Sequence, residues 1–198
     1  GARPALGLAL ALAAFGVLPA QARTILVAQD GSGEFTTIGA AIQASVHGEV
    51  IEVAPGTYHE RLSYAGRAIT VRSLEGPAAT IIDADGIASV VVMDFLEGPA
   101  SVLDGFTLKN GLGTPVRSNP RSRVRGILER FSPEQGVRER EEQASDRAGS
   151  RSRFGGGLLL LTASPTLRNL VIRDNRAEIG GGLYALQTAP NLENCRFY

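Results

Sequence analysis

The chain has 198 residues, 43% of them hydrophobic, and its 20 basic side chains balance 20 acidic ones. Zero net charge excludes a global field that would gather nucleic acid or an anionic membrane, so no nucleic-acid partner is expected. One cysteine, Cys195, excludes a disulfide framework and a cysteine metal cluster, and its place in a strand pattern predicts a small core residue.

Residues 1–22 read "GARPALGLALALAAFGVLPAQA". A basic Arg3, an apolar run and the small-residue step Ala20-Gln21-Ala22 predict a secretory signal cleaved before Arg23. The run is too short and alanine-rich for a membrane span, so the mature chain is expected to carry none. The expected location is outside the cell, secreted or at its surface. A first residue other than Met and a last residue, Tyr198, inside a strand pattern predict a piece of a longer protein, open at its C-terminal end.

From 23 to 113 the pattern predicts an N-terminal cap and the first coils of a solenoid. Ile25–Ala28 reads as a strand and "DGSG" as a turn. Thr36 or Thr37 can N-cap a short helix through about Val46, with Ile38, Ala41, Ile42 and Ala44 or Val46 on one side. Such a helix would cover the first coil, whose end otherwise exposes core and strand edges. Strands follow at Val50–Val53 and Ile69–Ser73. The run "LEGPA" occurs at 74–78 and again at 96–100, an offset of 22. At that offset Ile69 would face Val91, Val71 would face Met93, and Ile81 would lie above Leu103.

Residues 114–153 break the pattern, with ten arginines against six acids and few large apolar residues. This composition predicts a disordered insertion on one coil corner. Its net charge of +4 faces a remainder of the mature chain at −5. Further coils are expected from 154 to 198. There "GGGL" at Gly155–Leu158 returns at Gly180–Leu183, an offset of 25. At the same offset Leu161, Pro165, Leu167, Asn169 and Ile172 map to Leu186, Pro190, Leu192, Asn194 and Phe197. A fixed period of this size marks a solenoid, and short alternating strands bounded by turns make the unit one coil of a parallel β-helix. Leu103, Phe106 and Leu108 match Leu167, Leu170 and Ile172 at an offset of 64, one coil plus 39 inserted residues. The expected fold is all-β: a right-handed parallel β-helix with a short N-terminal capping helix.

The stretches "DGSGEFTTIGAAIQAS", "VIEVAPGTYHERL", "AITVRS" and "TIIDADG" resemble the N-terminal coils of right-handed parallel β-helix proteins of the pectin-lyase-like superfamily, an opening the pectin esterases share. The stretch "SPTLRNLVIRDNRAEIGGGLY" is similar to the repeats of surface-exposed β-helix proteins, including the polymorphic outer-membrane proteins. The resemblance implies the fold. It covers lyases, esterases, hydrolases and non-catalytic surface proteins alike, and fold alone does not select among them.

The esterase resemblance implies carboxylates, oxyanion-hole glutamines and an arginine in blocks like "QAVAL" and "DFIFG". Neither block is present, and Asp94-Phe95-Leu96 does not form one. Tyr58 and Glu60 in "PGTYHE" read as packing and turn residues, and His47 and His59 as solvated. The hydrolase motifs "NTD" and "GHG" are also missing. A lyase needs carboxylates to hold Ca²⁺ and a base beside the scissile carbon. Asp83, Asp85, Asp94 and Asp104 can supply oxygens, with Asp83 and Asp85 in "DADG" as the Ca²⁺ ligands, and Arg72 or Lys109 can supply the base. Asn169 and Asn194 are expected to stack as a structural amide ladder.

Two functional readings stand. One is a non-catalytic scaffold at the cell surface, a monomer whose partner is an extracellular polysaccharide and which needs no cofactor. The other is a polysaccharide-active enzyme, a Ca²⁺-dependent lyase of acidic sugars. They differ in whether acidic and basic residues converge on one coil face.

Overall fold

The structure, a computed structural model, describes residues 22–116 and 152–198. The predicted signal segment before Ala22 and the bulk of the Arg-rich insertion lie outside the described residues.

The described chain opens with strand β1 (Thr24–Val27) and helix α1 (Ile38–Ala44). Coils then wind through β2 (Val50–Val53), β3 (Gly56–His59), β4 (Leu62–Ser63), β5 (Thr70–Ser73), β6 (Thr80–Asp83) and β7 (Val91–Met93). Next come β8 (Val102–Asp104), β9 (Thr107–Lys109) and β10 (Thr114–Pro115). After the insertion the order is β11 (Arg153–Phe154), β12 (Leu158–Leu161), β13 (Thr166–Arg168), β14 (Val171–Ile172), β15 (Leu183–Leu186), β16 (Asn191–Glu193) and β17 (Arg196–Phe197).

Three parallel sheets result. Sheet A is β1-β2-β5-β8-β13-β16, sheet B is β3-β6-β9-β14-β17, and sheet C is β4-β7-β12-β15. Each successive coil lays one strand on each sheet, which makes the molecule a right-handed parallel β-helix. Alternation along each strand sends one set of side chains inward. In sheet A the inward stack is Ile25, Ile51, Val71, Leu103, Leu167 and Leu192 in strand register. The first five of these are fully buried. In sheet B, Tyr58, Ile82, Leu108, Ile172 and Phe197 stack likewise. Cys195 packs half-buried against the same core, and burial pushes its thiol pKa up.

The cap forms as its sequence dictates, though shorter. Thr37 N-caps α1 by accepting from the Ala40 N–H, and Ile38, Ala41 and Ile42 turn inward. The helix stops at Ala44, where the Ser45 hydroxyl donates to the Ile42 carbonyl. Val46 therefore leaves the helix and is 63% exposed. Glu60 locks the helix onto the coils: its two carboxylate oxygens accept the Ile38 and Gly39 N–H groups, each at 2.8 Å.

The offset of 25 is a coil in register: Leu158 pairs with Leu183, Leu167 with Leu192 and Ile172 with Phe197. The offset of 64 is also a register, pairing Leu103 with Leu167 and Leu108 with Ile172. The offset of 22 is not. Val71 pairs with Leu103, and Ile81 with Thr107, while Val91 pairs with Leu62 and Leu158 in another sheet. The first "LEGPA" joins sheet A to sheet B and the second joins sheet C to sheet A. One turn sequence thus serves two different corners.

The glycine run has a packing cause. Gly156 N–H bonds to the Gly180 carbonyl and Gly157 N–H to the Gly181 carbonyl. A Cβ on Gly156 would stand 2.2 Å from the Gly181 oxygen. Only glycine lets these backbones come so close.

The insertion leaves and returns through an ordered stem. Strand β10 pairs antiparallel with β11, placing Thr114 opposite Phe154 and Pro115 opposite Arg153. The stretch expected without structure is therefore narrowed at both ends. Val116 and Phe154 pack on the outer face of sheet C against Leu159 and Leu161, with Tyr184 beside them. The Phe154 and Tyr184 rings lie 4.8 Å apart, centroid to centroid.

Candidate functional site

The charged candidates separate into three places. The first is the C-terminal end of the sheet B strands. Strand register sets His59 beside Asp83, and Asp83 beside Lys109. The Asp83 side chain is 5% exposed and sits 3.0 Å from the Lys109 ammonium. It also accepts from the Asn110 amide at 2.9 and 3.0 Å and from the Asp85 N–H at 2.9 Å. Burial acts to raise this carboxyl, but the Asp85 N–H, Lys109 and Asn110 outweigh it, so it lies below the ordinary carboxylate range. Asp83 is thus tied into the coils by three neighbours at once. Asp85, held at φ 52° in the turn that follows, lies with its Oδ1 2.8 Å from His59 Nδ1.

One ligand atom from each of His59, Asp83 and Asp85 lies within 4.8 Å of the others. These three are the residues that can hold a divalent ion here. An imidazole in the set suits a borderline metal better than the hard, oxygen-seeking Ca²⁺ expected for the "DADG" turn. The Lys109 ammonium already neutralises the innermost ligand, so an ion would have to displace it or share Asp83 with it.

The second place is the outer face of sheet A. There Glu52, Arg72, Asp104, Arg168 and Glu193 lie side by side on five successive strands. Their charges alternate. Arg72 bonds Glu52 through Nε and Nη2, and Arg168 Nε lies 2.8 Å from Glu193. Asp104 Oδ1 accepts the Asn169 amide at 2.8 Å, and Asn169 Oδ1 accepts the Asn194 amide at 2.8 Å. In the last three coils the corner between sheets A and B opens on a left-handed residue: Gly105 has φ 84°, and Asn169 and Asn194 both have φ 51°. Asparagine tolerates this region and offers an amide to the next coil.

Asp94 lies in the third place, the corner after β7. Nearby, the buried Glu97 accepts the Gly66 and Phe95 N–H groups at 2.9 and 2.8 Å. The structure therefore brings Asp83, Asp85 and Lys109 together, brings Arg72 together with Asp104, and places Asp94 apart from both groups.

His59, Asn110 and Glu52 escaped the sequence reading as members of these clusters. Their partners lie 26, 27 and 20 residues away, and no single period links them. His47 accepts the Ala68 N–H at 3.0 Å. Tyr58 is buried, with its hydroxyl on the Ala54 carbonyl.

An open cleft of about 390 Å³ runs along the A–B corner, lined among others by Arg72, Pro77, Asp104, Asn169, Asn194 and Arg196. No helix among the described residues is long and apolar enough to cross a membrane.

No protein-family model matches the sequence, and no curated protein matches it. Solved structures do resemble the fold. A pectin methylesterase mutant in complex with a hexasaccharide is 14% identical, with a TM-score of 0.51, over 87% of this chain and 48% of that one. A pectin methylesterase from Erwinia chrysanthemi is 14% identical, with a TM-score of 0.49, over 90% of this chain and 49% of that one. The chain thus spans about half the length of these enzymes. At such identity the likeness is one of architecture: the chain has a right-handed parallel β-helix fold.

Proposed function

We propose that the chain is a non-catalytic, extracellular β-helix module that binds polysaccharide. The observation that carries this reading is the state of the charged candidates. They form two separate clusters, each bonded within itself: Asp83 with Lys109 and Asp85 with His59 at the ends of the sheet B strands, Arg72 with Glu52 and Asp104 with Asn169 on sheet A and its corner. Acid–base catalysis needs its groups to reach one substrate together, and the two clusters lie on different sheets. Binding is supported by the open cleft and by the hexasaccharide complex of the structural neighbour. Location outside the cell rests on the predicted signal, and N-terminal sequencing of exported protein should begin at Arg23.

The test pairs binding with turnover. Affinity electrophoresis in gels containing pectin or polygalacturonate should retard the chain. Absorbance at 235 nm with uronate polymers and Ca²⁺, and acid release from methylated pectin, should both stay at background. Turnover that Asp83→Ala or Asp104→Ala abolishes would make the chain an enzyme. In that case a Ca²⁺-dependent lyase, with the ion at Asp83 and Asp85, becomes the leading alternative for unsaturated products.

A further inference from the structure

We propose that His59, Asp83 and Asp85 form a binding site for a borderline divalent metal ion such as Zn²⁺, and that the bound ion clamps two neighbouring coils together. The ligands come from both coils: His59 ends β3, Asp83 ends β6, and Asp85 follows in the turn. Strand register sets His59 directly beside Asp83. One ligand atom from each residue already lies within 4.8 Å of the other two. Ligands at about 2.0–2.2 Å around one tetrahedral ion stand about 3.4 Å apart, so side-chain shifts of about an ångström close the set. His59 Nδ1 and Asp85 Oδ1, 2.8 Å apart, share a proton, and the ion would take that proton's place. The turn holds Asp85 at φ 52°, with its N–H donating to Asp83 Oδ1 at 2.9 Å. None of the three residues lines the A–B corner cleft, so the site would stand whether or not the chain binds polysaccharide.

The ligand types select the metal. An imidazole with two carboxylates suits Zn²⁺, whereas Ca²⁺ seeks a larger shell made of oxygens alone. Three protein ligands leave a fourth position for water, and the exposed side chains of His59 and Asp85 open it to solvent. Asp83 is the buried anchor. Its oxygens are held by Lys109, Asn110 and the Asp85 N–H, so one partner must give way to an ion. Lys109 is that partner. Its ammonium is a point charge on a flexible stem, and its side chain is partly exposed, so it can swing into water. Two carboxylates then remain to neutralise a doubly charged ion. Lys109 is therefore the ion's competitor for Asp83, and the two cannot both hold the same oxygen.

The probe is Zn²⁺ alone, titrated into the untagged chain by calorimetry, with Ca²⁺ for comparison. NMR follows the ring protons of His59 and of His47, the chain's other histidine. Zn²⁺ should bind one to one, perturb His59, leave His47 in place and raise the melting temperature. Ca²⁺ should bind at least tenfold more weakly. His59→Ala should weaken Zn²⁺ at least tenfold and barely move the metal-free melting temperature, because this side chain is exposed. Cys195→Ser, which removes the one thiol, should leave binding unchanged. Lys109→Met separates a metal site from a merely structural cluster. It should lower the metal-free melting temperature by stranding Asp83, yet bind Zn²⁺ several-fold more tightly than the native chain. Zn²⁺ binding that His59→Ala leaves intact would put the ion elsewhere and overturn the site. So would the absence of binding at millimolar Zn²⁺ in both the native chain and Lys109→Met. Equal affinity for Ca²⁺ would overturn the choice of metal.

Discussion

Asn194 hands its side-chain amide to Asn169 at 2.8 Å, and the two residues share a backbone φ of 51°. The same residue type thus meets two demands at each corner. It accepts a left-handed backbone, and it closes a hydrogen bond to the coil beneath. Asn169→Ala should lose both its side-chain bonds and strain the corner, at a cost of about 2 kcal/mol. Asn169→Gly should relieve the strain and cost less. Thermal melting of the two variants checks the order. Equal melting temperatures would mean that the backbone alone sets the corner.

Gly156→Ala should be far more damaging. Its Cβ would meet the Gly181 carbonyl oxygen at 2.2 Å and Arg176 backbone atoms within 3 Å. Backbone cannot swing aside as a side chain can, so losses above about 3 kcal/mol are expected. Gly98 supplies the contrast, since a Cβ there meets nothing within 4 Å. Gly98→Ala should change stability by no more than about 0.5 kcal/mol, as read from urea unfolding midpoints.

Leu103 stands in the middle of the sheet A stack, fully buried between Val71 and Leu167. Leu103→Ala should cost about 2–5 kcal/mol. The equivalent Leu192, 43% exposed on the last coil, should cost much less on the same change. Comparable costs would place the core elsewhere.

The Asp83 carboxyl is held below its ordinary range, so its contribution has a definite sign with pH. A carboxylate depressed in the folded state adds stability above the unfolded value, about 3.9. It loses that contribution as pH falls through the lower folded value. Asp83→Asn should therefore destabilise by about 1–3 kcal/mol near neutrality, partly by leaving Lys109 without its partner. The gap between native chain and variant should be flat above about pH 5 and narrow on further acidification. Denaturant titrations across pH 2–7 would show it. A gap that widens in acid would contradict the ion pair.

Much of the architecture was legible because identical coils put identical residues in register. The "GGGL" repeat is a backbone ladder, and the offset of 64 is one coil plus an insertion. The "LEGPA" repeat misled because a turn motif reports a corner's local geometry, not which sheets it joins. The His59–Asp83–Asp85–Lys109 cluster was hidden for a related reason. His59 and Asp83 are 24 residues apart, Asp83 and Lys109 are 26 apart, and coils of unequal length blur any period. Arg72 and Asp104, read as possible chemistry, are neighbours in an alternating ladder that only strand register reveals. Arg196 gave no signal at all, since an exposed arginine on a strand is ordinary until a cleft is seen beside it.

The antiparallel stem at Thr114 and Phe154 makes the solenoid a socket. Because the chain departs and re-enters at paired positions, whatever is spliced between them need only have its own ends one strand spacing apart, about 4.8 Å. The coils on either side are joined through sheets A, B and C. A flexible splice at this point would cost about 0.6 kcal/mol of closure entropy for each doubling of its length. A fluorescent protein or an affinity tag with close termini could therefore be carried at this corner while the rod beneath it keeps its register.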